Sequence, residues 1–234
     1  MRRRARRQVH SPPEAAGGVS GKPVGRRFFM AGTAASLGLV AFGGGVPAAL
    51  RSWVESPLGD LTPGDGFHFY SVTGSIPQWS PGTWRLVVDG LVDRPLALSR
   101  DEVAATRLAG VTADFHCVTG WSVSSVRWAG LPVRGLLDQA GVQARAAAVR
   151  FESADGVYVD YLDLQTARTE GVIVAFNMNG RPLTAERGAP ARLVVPFFYG
   201  YKGVKWLRRL TAVAETGTGY WEARGYAADA RIRH

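Results

Sequence analysis

The chain has 234 residues, 46% hydrophobic and 20% charged, with a single cysteine and a formal net charge of +9 at pH 7. One cysteine excludes an internal disulfide and any centre built from several thiolates, such as a structural zinc or iron–sulfur site. The positive charge suggests a nucleic-acid binder, but residues 1–27 hold eight of the 28 Lys and Arg and one of the 19 acids, so the body is close to neutral. No basic stripe interleaved with aromatics runs through that body, which argues against nucleic acid as a partner.

Residues 1–50 read as a leader. The basic, Pro/Gly/Ser-rich start cannot bury a core and is expected to be disordered. Arg26-Arg27, then Phe28-Phe29-Met30 and the uncharged Gly/Ala-rich run 31–50, resemble a twin-arginine export signal. Residues 28–50 are also long enough for a plain membrane anchor. Val46-Pro47-Ala48 is a poor cleavage site, so removal of the leader stays open. Residues 51–64 form a linker, 65–228 a single domain large enough for a substantial core, and 229–234 a tail.

Within the domain, Phe67–Thr73 alternates aromatic and polar residues and is expected to be extended. Trp84–Val88 is a strand closed by the turn pair Asp89-Gly90. Ser99 is positioned to cap a short helix, with Glu102 completing a capping box. Val111–Cys117 reads as a strand that delivers the cysteine at its C-terminal end. Pro132 fits the first turn of a helix whose Val133, Leu136, Leu137 and Ala140 share one face, and Gly141 stops it. Ala147–Glu152 and Val157–Tyr161 flank Asp155-Gly156 as a hairpin. Val172–Phe176 and Arg192–Val195 are apolar, β-branched runs suited to buried strands, and Leu207–Ala214 is a final strand. Many short strands with two or three helices predict an α+β fold.

Cys117 admits two readings, a small buried hydrophobe or a single soft thiolate ligand to a metal whose other ligands come from a cofactor. His116 beside it invites a Cys-His pairing. Strand neighbours point to opposite faces, however, so both cannot easily reach one ion. His116 is therefore either a pocket-wall donor or a satisfied core histidine.

The segment Phe115-His116-Cys117-Val118-Thr119-Gly120-Trp121-Ser122, followed by Trp128-Ala129-Gly130-Leu131-Pro132-Val133, resembles the cysteine segment of the sulfite oxidase family. The resemblance continues in the family's order. Its later blocks are Ser153-Ala154-Asp155-Gly156, Met178–Leu183, Gly188–Pro196, Tyr199–Trp206 and Gly219–Glu222. It implies a sulfite-oxidase-type fold of mixed β-sheets with a few short helices, a molybdenum–molybdopterin cofactor, and Cys117 as the protein ligand to the metal. Gly203, Val204 and Lys205 match the family's pterin-binding segment, and Arg192 matches an arginine that grips the cofactor. Ser153 aligns with a cofactor-contacting hydroxyl, and Arg187 stands where relatives carry His or Asn. Asp65, His68 and Phe69 align with an early segment that closes over the pterin. The bland alternatives are solvated surface cations and a half-exposed strand histidine.

The pterin phosphate needs fixed positive charge and backbone donors. Lys202 and Lys205, with Gly203 between them, offer both. Where sulfite oxidases carry a dianion-binding arginine after the cysteine, this chain has Trp121-Ser122, and Arg127 lies further on. That departure brings it nearer the minimal bacterial branch, which includes a sulfoxide reductase catalytic subunit. The expected activity is exported two-electron, oxygen-atom-transfer chemistry on a small-molecule or sulfoxide-type substrate, in a pocket lined by Trp121, Tyr199 and Tyr201. Electrons would pass to or from an external protein such as a membrane haem protein or a soluble cytochrome. The alternatives are a sulfite oxidase with a different anion site and a secreted binding module that keeps the shape without the metal.

Overall fold

In the computed structural model, which describes residues 66–232, two β-sheets carry nearly all the regular structure. The elements run β1 (Arg85–Gly90), β2 (Leu96–Ser99), α1 (Arg100–Ala105), β3 (Ala109–His116), β4 (Ser122–Pro132), α2 (Val133–Ala140), β5 (Ala148–Ser153), β6 (Val159–Asp163), α3 (Leu164–Ala167), β7 (Ile173–Met178), β8 (Arg181–Pro182), β9 (Arg192–Val194) and β10 (Leu207–Val213). Short 3-10 turns follow at Gly200–Lys202 and Glu222–Arg224. The first sheet has the order β2-β1-β10-β5-β6, with β1 and β10 parallel and the other pairs antiparallel. The second runs β3-β4-β7-β8, with β9 on β7, antiparallel throughout.

The capping box forms as the sequence predicts. Ser99 N–H donates to Glu102 Oε2 at 2.7 Å, and Glu102 N–H donates to Ser99 Oγ at 3.2 Å. The bonds that Ser99 donates to Oε2 from its N–H and its hydroxyl hold the Glu102 carboxyl below its ordinary range. Gly141 ends α2 in the left-handed conformation, φ 68°. Pro132 sits one position earlier than expected, capping α2 while still the last residue of β4. The Phe67–Thr73 alternation holds in burial, with Phe67 buried between exposed neighbours, but this segment joins no strand ladder.

β7 explains where the site lies. Its run Ile173-Val174-Ala175-Phe176 is buried on both faces, as a continuous apolar strand should be. Val174 and Phe176 enter the main core with Leu86, Val103, Leu137, Phe151 and Leu210. Ile173 and Ala175 face the other way into a smaller cluster with Phe67, Val126, Trp128 and Ala189. β9 splits likewise, Leu193 to the main core and Val194 to the smaller cluster. Of the sequence-predicted functional residues, Trp121, Arg187 and Arg192 gather around that smaller cluster.

β4 is an 11-residue strand that the period-two pattern hides. Ala113 pairs with Val126 but Phe115 pairs with Val123, so β4 carries one extra residue. Ser125 takes φ 55° there and donates its N–H to Asp114 Oδ1 at 2.8 Å. This bulge breaks the apolar alternation and re-aims the strand toward the cysteine turn.

Candidate cofactor site

Cys117 sits at the tip of the β3–β4 hairpin. Its N–H donates to the Trp121 carbonyl at 2.9 Å, Gly120 N–H donates to the Cys117 carbonyl at 3.0 Å, and His116 pairs with Ser122 to close the turn. The thiol is half-buried, with Sγ 3.1 Å from Thr119 Oγ1. His116 Nδ1 lies 2.8 Å from Ser122 Oγ. Val118 on the same turn is exposed.

Trp121, which follows this turn, is the hub of an aromatic cluster. Its ring meets Phe115 at 5.5 Å, Phe67 at 5.9 Å and Tyr70 at 6.5 Å, and stacks on His68 at 4.9 Å. Two cations stand on rings of this cluster, and a third stands on the neighbouring Phe69–Trp206 pair. The Arg187 guanidinium lies 5.0 Å from the Phe67 ring centre, and Arg192 lies 5.5 Å from Phe115 and 5.1 Å from Trp128. Lys205 Nζ stands 4.4 Å from the centre of Phe69 and 4.5 Å from that of Trp206. Cation–π attraction helps hold charge in such a place. It does not replace the hydration these groups lose.

The electrostatics show the deficit. Arg192 is buried, its Nη1 donates to the Arg187 carbonyl at 3.2 Å, and its Nε has no hydrogen-bond partner. Burial, and then the Arg187 charge, push Arg192 down to about 10. Lys205 donates to the carbonyls of Tyr70 and Glu186. Burial, then Arg192 and Arg187, push it down to about 7. Neither Arg192 nor Lys205 forms an ion pair among the described residues. Buried charges are normally paired. An orphaned guanidinium nitrogen beside two further cations is chemistry suited to a multiply charged anion.

The backbone builds this cradle by close approach. Gly188 has φ 103°, and a Cβ there would lie 3.0 Å from Lys205 Cβ and 3.2 Å from Arg192 Cβ. Glycine's left-handed backbone and missing Cβ let the Lys205 and Arg192 stems close on this position. A Cβ on Gly203 would lie 3.3 Å from Arg192 Nη2. Val204, fully buried, accepts a 2.8 Å bond from Leu193 N–H at its carbonyl, fixing the segment to β9. A cleft beside Arg192 is lined by Phe115, Trp128, Tyr199, Gly200 and Gly203.

Several sequence-predicted residues stand elsewhere. Lys202 does not join Lys205, because its ammonium turns inward to Asp160 and Glu222. Tyr201 donates its hydroxyl to the Ala227 carbonyl at 2.7 Å and packs on Tyr226, away from the cations. Ser153 is buried opposite Leu207, and its hydroxyl accepts from Asp155 N–H at 3.2 Å, serving the hairpin turn. Arg127 is exposed between the buried Val126 and Trp128, on the opposite face of β4. Asp65 lies outside the described residues. The sequence reading missed Phe67, Tyr70, Phe115, Trp128 and Gly188 as parts of the site. Trp128 could have been found only by recognising the bulge, and Gly188 only from its tertiary neighbours.

A family model described as the oxidoreductase molybdopterin-binding domain matches residues 73–221. The chain is 38% identical over 155 residues to the uncharacterised oxidoreductase YuiH of Bacillus subtilis (strain 168), covering 66% of this chain and 78% of YuiH. It is 30% identical over 190 residues to the protein-methionine-sulfoxide reductase catalytic subunit MsrP of Pseudomonas syringae pv. tomato, covering 72% of this chain and 56% of MsrP. The putative protein-methionine-sulfoxide reductase subunit YedZ1 of Azospira oryzae is 31% identical over 160 residues, 68% of this chain and 60% of that protein. Of the solved structures, the sulfane dehydrogenase SoxCD of Paracoccus pantotrophus shares the fold, with a TM-score of 0.57 at 23% identity over 74% of this chain and 54% of that one. The chain thus spans under two thirds of the length of MsrP, YedZ1 and the SoxCD chain. The chain belongs to the sulfite oxidase family of molybdopterin-binding oxidoreductases, and its cofactor is molybdenum–molybdopterin.

Proposed function

We propose that this chain is an exported molybdopterin oxidoreductase in which the Cys117 thiolate ligates molybdenum and Arg187, Arg192 and Lys205 hold the phosphate of the pterin. The observation that carries this reading is the cation cluster built onto the same aromatic group as the Cys117 turn, with a buried Arg192 Nε that lacks a partner. The residues present fit the group. Arg187, Arg192 and Lys205 would neutralise its phosphate, and Cys117 would supply a soft ligand. Phe69 and His68, on the segment beside Lys205, would keep water from the pterin, and Asp65, outside the described residues, is proposed from the family resemblance alone. Ser153 acts through the Asp155-Gly156 turn. When bound, the cofactor supplies two-electron, oxygen-atom-transfer chemistry.

The substrate is small or sulfoxide-like. Arg127 faces away, so the Cys117 turn presents aromatic groups and Thr119 rather than a guanidinium. Two of the relatives bear names of methionine sulfoxide reductase subunits, which supports the same substrate class. Electrons are exchanged with an external protein, a membrane haem protein or a soluble cytochrome. The basic leader with Arg26-Arg27 supports export to the outer face of the cell membrane, with residues 28–50 as signal or anchor. That leader lies outside the described residues. No described helix is long and apolar enough to cross a membrane.

Cys117→Ser tests the assignment. The purified variant should carry molybdenum but lose turnover, because an alkoxide is a harder, poorer ligand for this metal. X-ray absorption should count one sulfur neighbour fewer at the metal than in wild type. Wild-type turnover in a molybdenum-loaded Cys117→Ser protein would reject the reading.

A further inference from the structure

Lys202 lies one residue before the Gly203–Lys205 segment, yet its ammonium points away from that segment. It is 3% exposed and pairs with Asp160 of β6 and with Glu222 of the C-terminal 3-10 turn, each at 2.5 Å. Glu222 Oε2 also accepts from Gly219 N–H at 2.9 Å, and Gly219 packs so tightly on Asp160 that a Cβ would lie 2.7 Å from Oδ1. Tyr220 N–H donates to the Val159 carbonyl at 2.8 Å, so the C-terminal segment is bonded along β6. Tyr158, from the same hairpin, donates its hydroxyl to the Tyr201 carbonyl. The Gly200–Lys202 turn is therefore held from behind by two elements remote in sequence. From the front, Gly200 seats on the Phe115 ring, where a Cβ would lie 2.2 Å from Cζ, and Gly203 touches Arg192.

One ammonium and two carboxylates in the interior are a poor means of gaining stability, because each ion loses its hydration and apolar residues of similar volume often do as well. Asp160 shows the cost. Burial pushes its carboxyl up to about 6 despite Lys202, and its Oδ2 has no partner. Charged hydrogen bonds do supply direction, which apolar contacts lack. We infer that Lys202 is a positioning residue: tied to Asp160 and Glu222, it sets where the Gly203–Lys205 backbone stands against Arg192. Segment 217–226 thereby becomes part of the apparatus that retains the cofactor. The inference rests on reading Arg192 and Lys205 as an anion clamp.

The test uses the full chain, with inorganic pyrophosphate as the probe. The triple variant Asp160→Asn, Lys202→Met, Glu222→Gln removes all three charges together, so no uncompensated ion is left inside. With cooperative melting retained, it should bind pyrophosphate at least fivefold more weakly than wild type. Amides 200–205 should exchange at least tenfold faster, while those of the β3–β4 hairpin stay unchanged. A role in stability alone would move the melting temperature and neither of these. Wild-type affinity and wild-type exchange in the folded triple variant would overturn the inference. Should that protein not fold, the milder Glu222→Gln is judged by the same two measurements. If wild type and Arg192→Met bind pyrophosphate alike, the clamp reading fails, and amide exchange over 200–205 still decides the positioning role.

Discussion

Replacing Arg192 with methionine separates a ligand-binding cation from a structural one. The methionine keeps an unbranched stem and removes the guanidinium that stands over Phe115 and Trp128. In the anion-free protein the charge is poorly accommodated. Its displacement from the ordinary guanidinium value down to about 10 corresponds to roughly 3 kcal/mol against the charged form. Opposing this are the bond to the Arg187 carbonyl, about 1.5–3 kcal/mol, and two cation–π contacts of about 1 kcal/mol each. These offset one another, so the variant's unfolding free energy should lie within about 2 kcal/mol of wild type. Anion binding has no such compensation. Losing a charge-assisted bond of about 1.5–3 kcal/mol predicts pyrophosphate affinity weakened roughly tenfold to a hundredfold. Urea unfolding of the anion-free protein, calorimetric titration with pyrophosphate, and molybdenum per chain from a molybdopterin-competent host measure the three quantities. A loss of many kcal/mol in stability with unchanged affinity and molybdenum content would refute the reasoning and make Arg192 a core residue.

Lys205 predicts a pH dependence. Its folded value of about 7 lies below the ordinary 10.5, so the anion-free protein holds it neutral above pH 7. Pyrophosphate affinity should fall by up to about tenfold per pH unit above pH 7, and binding at pH 8 should take up close to one proton, read from titrations in buffers of different ionisation enthalpy. Affinity flat from pH 6 to 9 would contradict this. In the same anion-free protein the unfolded chain binds the extra proton between pH 7 and 10.5. Lys205 therefore contributes stability that is present above 10.5 and is lost as pH falls through 7. Gly188→Ala should cost about 1–3 kcal/mol from its φ of 103° and its contact with Lys205. It should lower molybdenum content as well, and thermal melts with metal analysis would reveal a tolerated substitution. Replacing Arg26 and Arg27 together by Lys keeps the charge but removes the guanidinium pair, and should leave folded, cofactor-loaded protein in the cytoplasm. Unchanged delivery on cell fractionation would make residues 28–50 an ordinary signal or anchor.

Much of the architecture is written locally. The Ser99–Glu102 box, the Gly141 stop and the Asp155-Gly156 hairpin depend on residues within a few positions of one another, and each forms where the sequence predicts it. The buried strands around Val174 and Leu193 are legible because an apolar run covered on both faces needs no alternation. Cys117 and the cations could be singled out by motif, since residue type carries their chemistry. Tertiary contacts decided the rest. The two lysines around Gly203 look equivalent in sequence. Only the carboxylates of Asp160 and Glu222, 42 residues upstream and 20 downstream, turn Lys202 inward and leave Lys205 with the arginines. β4 escaped because one extra residue at Ser125 shifts its apolar phase, and that bulge is held by Asp114 on the neighbouring strand. Gly188 is required by Lys205 and Arg192 closing on it from two other segments. The sequence by itself determined the family, the element types other than β4, and the kind of groups available. Folding alone decided which of these groups share one buried, low-dielectric space, because burial and mutual repulsion exist only once distant segments meet.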